Sequence, residues 1–320
     1  MVRTIRGSGS DMAGPSESIR YSERIVYVRR DEVELAGDLY LPAAAGPHPV
    51  VLAVPGGRWR NGHRGGLRHW GEYLARNGYA VFSVDYRQAT IAPSFPQAVQ
   101  DVVAAAQFLC GEGQRFGLDS QRLILLGASA GAHVAALAAL AGERPPFLNG
   151  HAGELHSNLR PQFRALIVAY GIYDLFAHWQ STRQTNPAPE DDVTERFLGC
   201  SPFDDLDLYT LASPLRHVAY CHNGLKVFLT WGTHDTAVDP RQSEAFRLAL
   251  EQARFYVRAV PVVGAGHFWF SEDLVDDPLG FTACVGPAIT RFLTRVTGSQ
   301  GLRERRIERA QQRRRSLCHA

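Results

Sequence analysis

The sequence predicts an α/β fold: a mostly parallel central sheet of about eight strands, flanked by helices, with a small cap insertion. Three observations predict it. A length of 320 residues suits one α/β domain with insertions. From about Ser22, short β-rich runs alternate with helical patterns. Beyond the first pair, those runs are continuously apolar, as strands buried on both faces must be.

The opening pair, Arg24–Val28 and Val33–Leu41, alternates apolar and polar residues around a charged turn, which predicts an antiparallel hairpin at the sheet edge. Buried strands are expected at Val50–Val54, Ala80–Val84, Leu123–Leu126, Ala165–Tyr170, Val227–Trp231 and Tyr256–Val262. Helical periodicity falls between them, at Arg68–Asn77, Gln97–Cys110, Gly131–Ala141, Arg241–Arg254 and Thr282–Val296. Two stretches break the alternation, Gly142–Pro161 and Ala177–Tyr220. The second, with His178, Trp179 and the acidic run Glu190–Asp192, is expected to cap a cleft and to hold substrate choice. Residues 22–297 are thus read as the domain, 1–21 as a flexible segment and 298–320 as an appended helix or tail. Gly7–Ser10 reads as a linker ahead of a native start at Met12.

Composition bounds the function. With 34 basic and 32 acidic side chains the formal charge is +2, which argues against a nucleic-acid binder. The charge is uneven: Leu302–Arg315 holds seven arginines and two glutamates, a local +5, which leaves the rest at −3. That segment is a candidate surface for homo-oligomer contact. Five scattered cysteines with no C-x-x-C spacing suit free thiols in a reducing compartment. The first residues lack an apolar signal core, and polar residues interrupt Leu123–Ala141. The expectation is a cytoplasmic protein with no membrane span, no metal and no cofactor.

The chemistry is concentrated at four strand ends. Leu123-Ile-Leu-Leu-Gly127-Ala-Ser129-Ala-Gly131 runs from buried strand into helix with Ser129 at the junction. A tight turn there lifts the hydroxyl above the sheet, and small neighbours let it close. The helix aims its first N–H groups and positive dipole end at any developing oxyanion. A serine needs a base, and the base an acid to orient it. The strand ending at Trp231 leads to Gly232-Thr-His234-Asp235, and the last strand to Val263-Gly-Ala-Gly266-His267. Asp235 lies 106 residues after Ser129 and 32 before His267, which leaves room for the elements between. Asp239, before Pro240 at a helix start, is the competing acid, though an aspartate there commonly caps the helix. His234 is the competing base, but it adjoins the acid. His133 reads as a packing residue. The strand at Val50–Val54 ends in Pro55-Gly-Gly-Arg58-Trp59, whose small residues let backbone N–H groups, with that of Ala130, approach an oxyanion.

With Asp85-Tyr-Arg87 and Ala212-Ser-Pro214 added, these motifs resemble the α/β-hydrolases. They come close to the carboxylesterases of the hormone-sensitive-lipase and feruloyl-esterase or kynurenine-formamidase-like groups, from about Ser22 to Val296. The resemblance implies Ser129 as nucleophile, His267 as base, Asp235 as its partner, and the backbones of Gly57, Arg58 and Ala130 as oxyanion donors. It implies hydrolysis of a small or aromatic carboxylic ester. The alternatives are an amidase, formamidase or acyltransferase using the same triad, or a non-catalytic binding homologue. Trp59, Phe268 and Trp269 are the candidate substrate-binding aromatics. The chain departs from the groups' His-Gly-Gly pattern at Pro55, which removes a side chain that would hold the loop. Arg58, where a third glycine is common, brings a cation to the mouth.

Overall fold

The computed structural model describes residues 3–5, 18–30, 33–148, 154–185 and 191–298. Its strands are β1 (Arg3–Ile5), β2 (Ile19–Arg30), β3 (Val33–Pro42), β4 (His48–Val54), β5 (Ala80–Val84), β6 (Leu118–Ala128), β7 (Phe163–Ala169), β8 (Lys226–Gly232) and β9 (Tyr256–Val262). They form one sheet in the order β1-β2-β3-β5-β4-β6-β7-β8-β9. Pairing is antiparallel from β1 to β5 and parallel from there to β9. The mostly parallel sheet of about eight strands is therefore present, with short β1 as an additional edge.

Helices α1 (Arg68–Arg76), α2 (Gln97–Glu112) and α3 (Ala130–Ala141) lie in the first half. Then come α4 (Leu175–Thr185), α5 (Val193–Leu198), α6 (Leu206–Leu211), α7 (Arg241–Gln252), α8 (Trp269–Glu272) and α9 (Thr282–Thr297). Strands β4 and β5 are buried along their whole length, as their largely apolar runs require, whereas β9, expected to be buried, is the sheet's edge strand and is mostly exposed or half-buried, with Arg258 in its middle. Helices α2 and α3 pack together against β4 and β6. Helices α1 and α9 meet where Thr290 Oγ1 donates to the Tyr73 hydroxyl at 3.3 Å.

Several boundaries differ from expectation, β6 for one beginning at Leu118 and not Leu123, and two of them bear on the organisation of the chain. The hairpin begins at Ile19, which is buried and pairs with Pro42, so the stretch read as flexible through 21 is strand from 19 onward. Alternation hid this, because a bulge at Ser22–Ile25, with Arg24 at φ 53°, breaks the period of two. The insertion read from Ala177 starts at Leu175 and holds α4, α5 and α6. Its capping residues are local: Asp192 accepts from the N–H groups of Thr194 and Glu195, and Asp205 from that of Leu208. The arginine-rich segment from 299 lies outside the described residues. Among those described, no helix is long and apolar enough to cross a membrane.

Strand order brings the chemistry to one rim. β4 and β6 are neighbours, so the loop after β4 lies beside the turn after β6, while β8 and β9 deliver their C-terminal loops to the same edge. Ligands of open parallel sheets bind in this crevice.

Candidate active site

Ser129 sits between β6 and α3 at φ 54°, ψ −125°, a conformation that L-residues adopt only under constraint. Its N–H donates to Ala169 O at 2.9 Å, and its carbonyl accepts from His133 N at 3.1 Å. The flanking glycines are sterically required. A Cβ on Gly131 would strike the carbonyl oxygens of Val54 and Pro55, and one on Gly127 would strike the Gly131 backbone.

The structure brings Ser129, His267 and Asp235 together. Ser129 Oγ lies 3.0 Å from His267 Nε2, and His267 Nδ1 lies 2.6 Å from Asp235 Oδ2. The Asp235 carboxylate is buried, and its Oδ1 accepts from the N–H groups of Ala237 and Val238, both at 2.9 Å. One oxygen is thus fixed by backbone, and the other faces the imidazole. The ring of Tyr170 lies 4.4 Å from that of His267, centroid to centroid, which holds the imidazole from the side. The competing groups are placed elsewhere. Asp239 binds Arg241 through its N–H, Nε and Nη2, holding the carboxyl below its ordinary value. His234 is exposed.

The loop after β4 lies against the serine turn. Gly57 has φ 124°, and Arg58 and Trp59 are both left-handed, at φ 57° and 56°. A Cβ on Gly56 would come within 3.1 Å of Ser129 Cβ, so the loop backbone presses close to the nucleophile. Among the described residues, the N–H groups of Gly57, Arg58 and Ala130 reach no acceptor, which leaves these three donors free in the loop after β4 and the turn after β6.

Of the three aromatics expected to bind substrate, two are core. Trp59 is 1% exposed and stacks on Phe197 at 4.7 Å, and Trp269 is 3% exposed with its edge on Tyr170. Neither offers a face to a ligand, because adjacency to a motif does not say which way a ring turns. Phe268 is half exposed and stands edge-on to the His267 ring at 4.6 Å. Trp179 packs on Phe176 and Phe203 and donates to Glu195 at 2.7 Å.

The BD-FAE family profile matches residues 37–250, two-thirds of the chain. The chain belongs to the BD-FAE family. It is an α/β-hydrolase, and the resemblance drawn from its motifs holds at that level. Esterase LipC of Mycobacterium tuberculosis is 29% identical over 263 residues, 79% of this chain and 60% of the relative. A probable isoprenylcysteine alpha-carbonyl methylesterase, ICMEL2 of Arabidopsis thaliana, is 28% identical over 256 residues, 76% and 56% respectively. The chain thus spans less than two-thirds of the length of these curated relatives. Among solved structures, a bifunctional GH43-CE protein of Bacteroides eggerthii superposes with TM-score 0.71 at 25% identity, covering 86% of this chain and 38% of that one. Esterase 2 of Thermogutta terrifontis shares the fold, with TM-score 0.66 at 24% identity over 86% and 92%.

This BD-FAE chain replaces the hold lost at Pro55 with other contacts. Tyr86 OH donates to Pro55 O at 2.9 Å, Gly62 N to Gln88 Oε1 at 3.0 Å, and Ala89 N to Trp59 O at 2.7 Å. The indole of Trp59 donates to His133 Nδ1 at 3.0 Å, while His133 Nε2 lies 2.8 Å from Ala212 O. An Nδ1 that accepts requires the proton on Nε2, so the ring is a neutral bridge. Burial pushes its pKa down to about 3. His133 is therefore more than packing, since it links three segments that resemble family motifs. Asp85 and Asp38 grip Arg64 at 2.6 and 2.8 Å, anchoring the far end of the same loop. His178 carried no individual signal in the sequence, yet it is buried against Trp59 beside the site. Among the described residues no group of three or more His, Cys, Asp or Glu could hold a metal ion.

Proposed function

We propose that the chain is a serine hydrolase of carboxylic esters, with Ser129 as nucleophile, His267 as general base and Asp235 orienting the imidazole. One observation carries the reading: the hydrogen-bonded line from Ser129 Oγ through His267 to Asp235, at 3.0 and 2.6 Å. The similarity to LipC, an esterase, and to ICMEL2, a probable methylesterase, favours esters as the substrate class.

In this mechanism His267 Nε2 takes the hydroxyl proton as Oγ attacks the ester carbonyl carbon. Charge gathers on the carbonyl oxygen, where the N–H groups of Gly57, Arg58 and Ala130 and the positive end of α3 receive it. The imidazolium, held by Asp235, returns its proton to the departing alcohol oxygen. Water then attacks the acyl-enzyme with His267 as base, releasing the acid and restoring Ser129.

Labelling by a fluorophosphonate, combined with turnover of para-nitrophenyl esters and anilides, tests the proposal. The expected result is Ser129-dependent labelling, with ester turnover exceeding anilide turnover. Equal labelling of Ser129→Ala overturns the assignment of the nucleophile; anilide turnover above ester turnover overturns the ester class.

A further inference from the structure

Arg58 and His178 are two uncommitted donors on either side of Trp59, near enough for the charges of Arg58 and His267 both to act on the His178 ring. Arg58 is exposed, and no carboxylate among the described residues forms an ion pair with it. Its neighbour Arg60 is committed, bound to Asp191 at 2.8 Å, and the other Asp191 oxygen takes Arg196 at 2.6 Å. Asp191 feels the charge of Arg58 but forms its ion pairs with Arg60 and Arg196, so the Arg58 guanidinium keeps its donors open. The other acid of the region, Asp235, is buried and already spent on His267 and two backbone N–H groups. The Arg58 backbone stands at φ 57°, a conformation that costs an L-residue about 1–2 kcal/mol and glycine little. A long cation is kept where the backbone would favour no side chain.

His178 projects from the first turns of α4 and is only 4% exposed. Its ring meets the edge of Trp59 at 6.4 Å, next in the chain to Arg58. No hydrogen bond among the described residues reaches its ring nitrogens, and neither nitrogen is sealed from solvent. Burial, then the charges of His267 and Arg58, hold its pKa down to about 4. The ring is therefore neutral at working pH and offers one N–H. That N–H has no acceptor among the described residues and is free to donate to a ligand.

We infer that Arg58 and His178 form an anion subsite beside Ser129, and that the preferred substrate is an ester carrying a carboxylate. This rests on the hydrolase reading and adds the charge of the substrate to it. A carboxylate would accept from the Arg58 guanidinium and from the His178 N–H while the ester carbonyl sits at Ser129.

Two substrate pairs test it and distinguish which part of the ester bears the charge. The first is the para-nitrophenyl monoester of glutaric acid against para-nitrophenyl pentanoate, with the carboxylate on the acyl part. The second is para-acetoxybenzoate against para-acetoxybenzamide, with it on the leaving group. The readout is the ratio of kcat/KM within each pair, so a loss common to both members cancels. In one pair the wild-type enzyme is expected to favour the carboxylate by about 10- to 100-fold, as charge-assisted hydrogen bonds predict. Arg58→Gln should reduce that ratio about tenfold or more, Arg58→Lys should retain most of it, and His178→Phe should lower it severalfold. Ratios of one or below in both wild-type pairs remove the subsite, as does a ratio unmoved by Arg58→Gln. Turnover of none of the four esters overturns the hydrolase reading and this inference with it.

Discussion

Trp59 Nε1 donates to His133 Nδ1 across 3.0 Å, and the bond ties the loop after β4 to the helix that follows Ser129. Two segments that supply the free N–H groups are thereby held in one register. Each partner is 1% exposed or less, so the bond cannot be replaced by water. Trp59→Phe would keep the stack on Phe197 and lose only the donor, leaving His133 Nδ1 buried and unsatisfied. The expected cost is about 1–3 kcal/mol of stability. Because the loop loosens around a developing charge rather than around bound substrate, kcat should fall about tenfold while KM moves little. Steady-state kinetics and a thermal midpoint on the same preparation check both; an unchanged kcat with a lowered midpoint would restrict the bond to packing.

The identity of the acid can be separated from its neighbour. Asp235→Asn keeps an oxygen for Ala237 and Val238 but loses the charge facing His267. It should fold as wild type and lose about 10⁴ in kcat, the scale seen when such a partner is neutralised. Asp239→Asn disturbs only an exposed pairing with Arg241 and should stay within about threefold of wild type. The reverse ranking would move the acid to Asp239.

Gly131 offers a steric test. Its missing Cβ is filled by the carbonyls of Val54 and Pro55, backbone that cannot rotate away. Gly131→Ala must push α3 from β4, disturbing the serine turn and the loop beside it together. A loss of about 3 kcal/mol or more is expected, with activity falling further than stability explains. A variant of wild-type midpoint and activity would mean that the turn closes less tightly than described.

What the sequence made legible follows from burial. Ala80–Val84 is delimited to the residue, because an interior strand is apolar nearly throughout, whereas Tyr256–Val262 has the expected bounds but is the sheet's edge strand, with Arg258 exposed. Ser129, Asp235 and His267 were legible because each follows a strand directly, and the topology sends those strand ends to one rim. The side-chain directions were not. Trp59 and Trp269 read as pocket aromatics and proved to be core, since a ring beside a motif can turn to either side of a loop. His178 is legible only as a member of the insertion expected to cap the cleft, because nothing in the sequence says that its ring turns inward against Trp59. The holds on the Pro55 loop, from Tyr86, Gln88 and His133, come from three distant segments, and only folding brings them together.

Two buried imidazoles give the fold a pH dependence whose sign is fixed. Folding lowers His133 to about 3 and His178 to about 4, from an ordinary value of 6.5, mainly because burial penalises the cation. The unfolded chain therefore takes up protons first as the pH falls. Stability is full above pH 6.5 and is lost progressively as the pH drops towards 4 and then 3. The carboxylates of Asp191, Asp204 and Asp239 are held below 3.8, so they leave the upper part of this window to the histidines. Between about pH 7 and pH 5 the thermal midpoint should fall by about 5–10 °C. His178→Phe removes one of the two protons and should flatten that slope by about half, a change that a purely structural defect would not produce. A midpoint that is constant or rises on acidification from 7 to 5 would contradict the neutral, buried state of both rings.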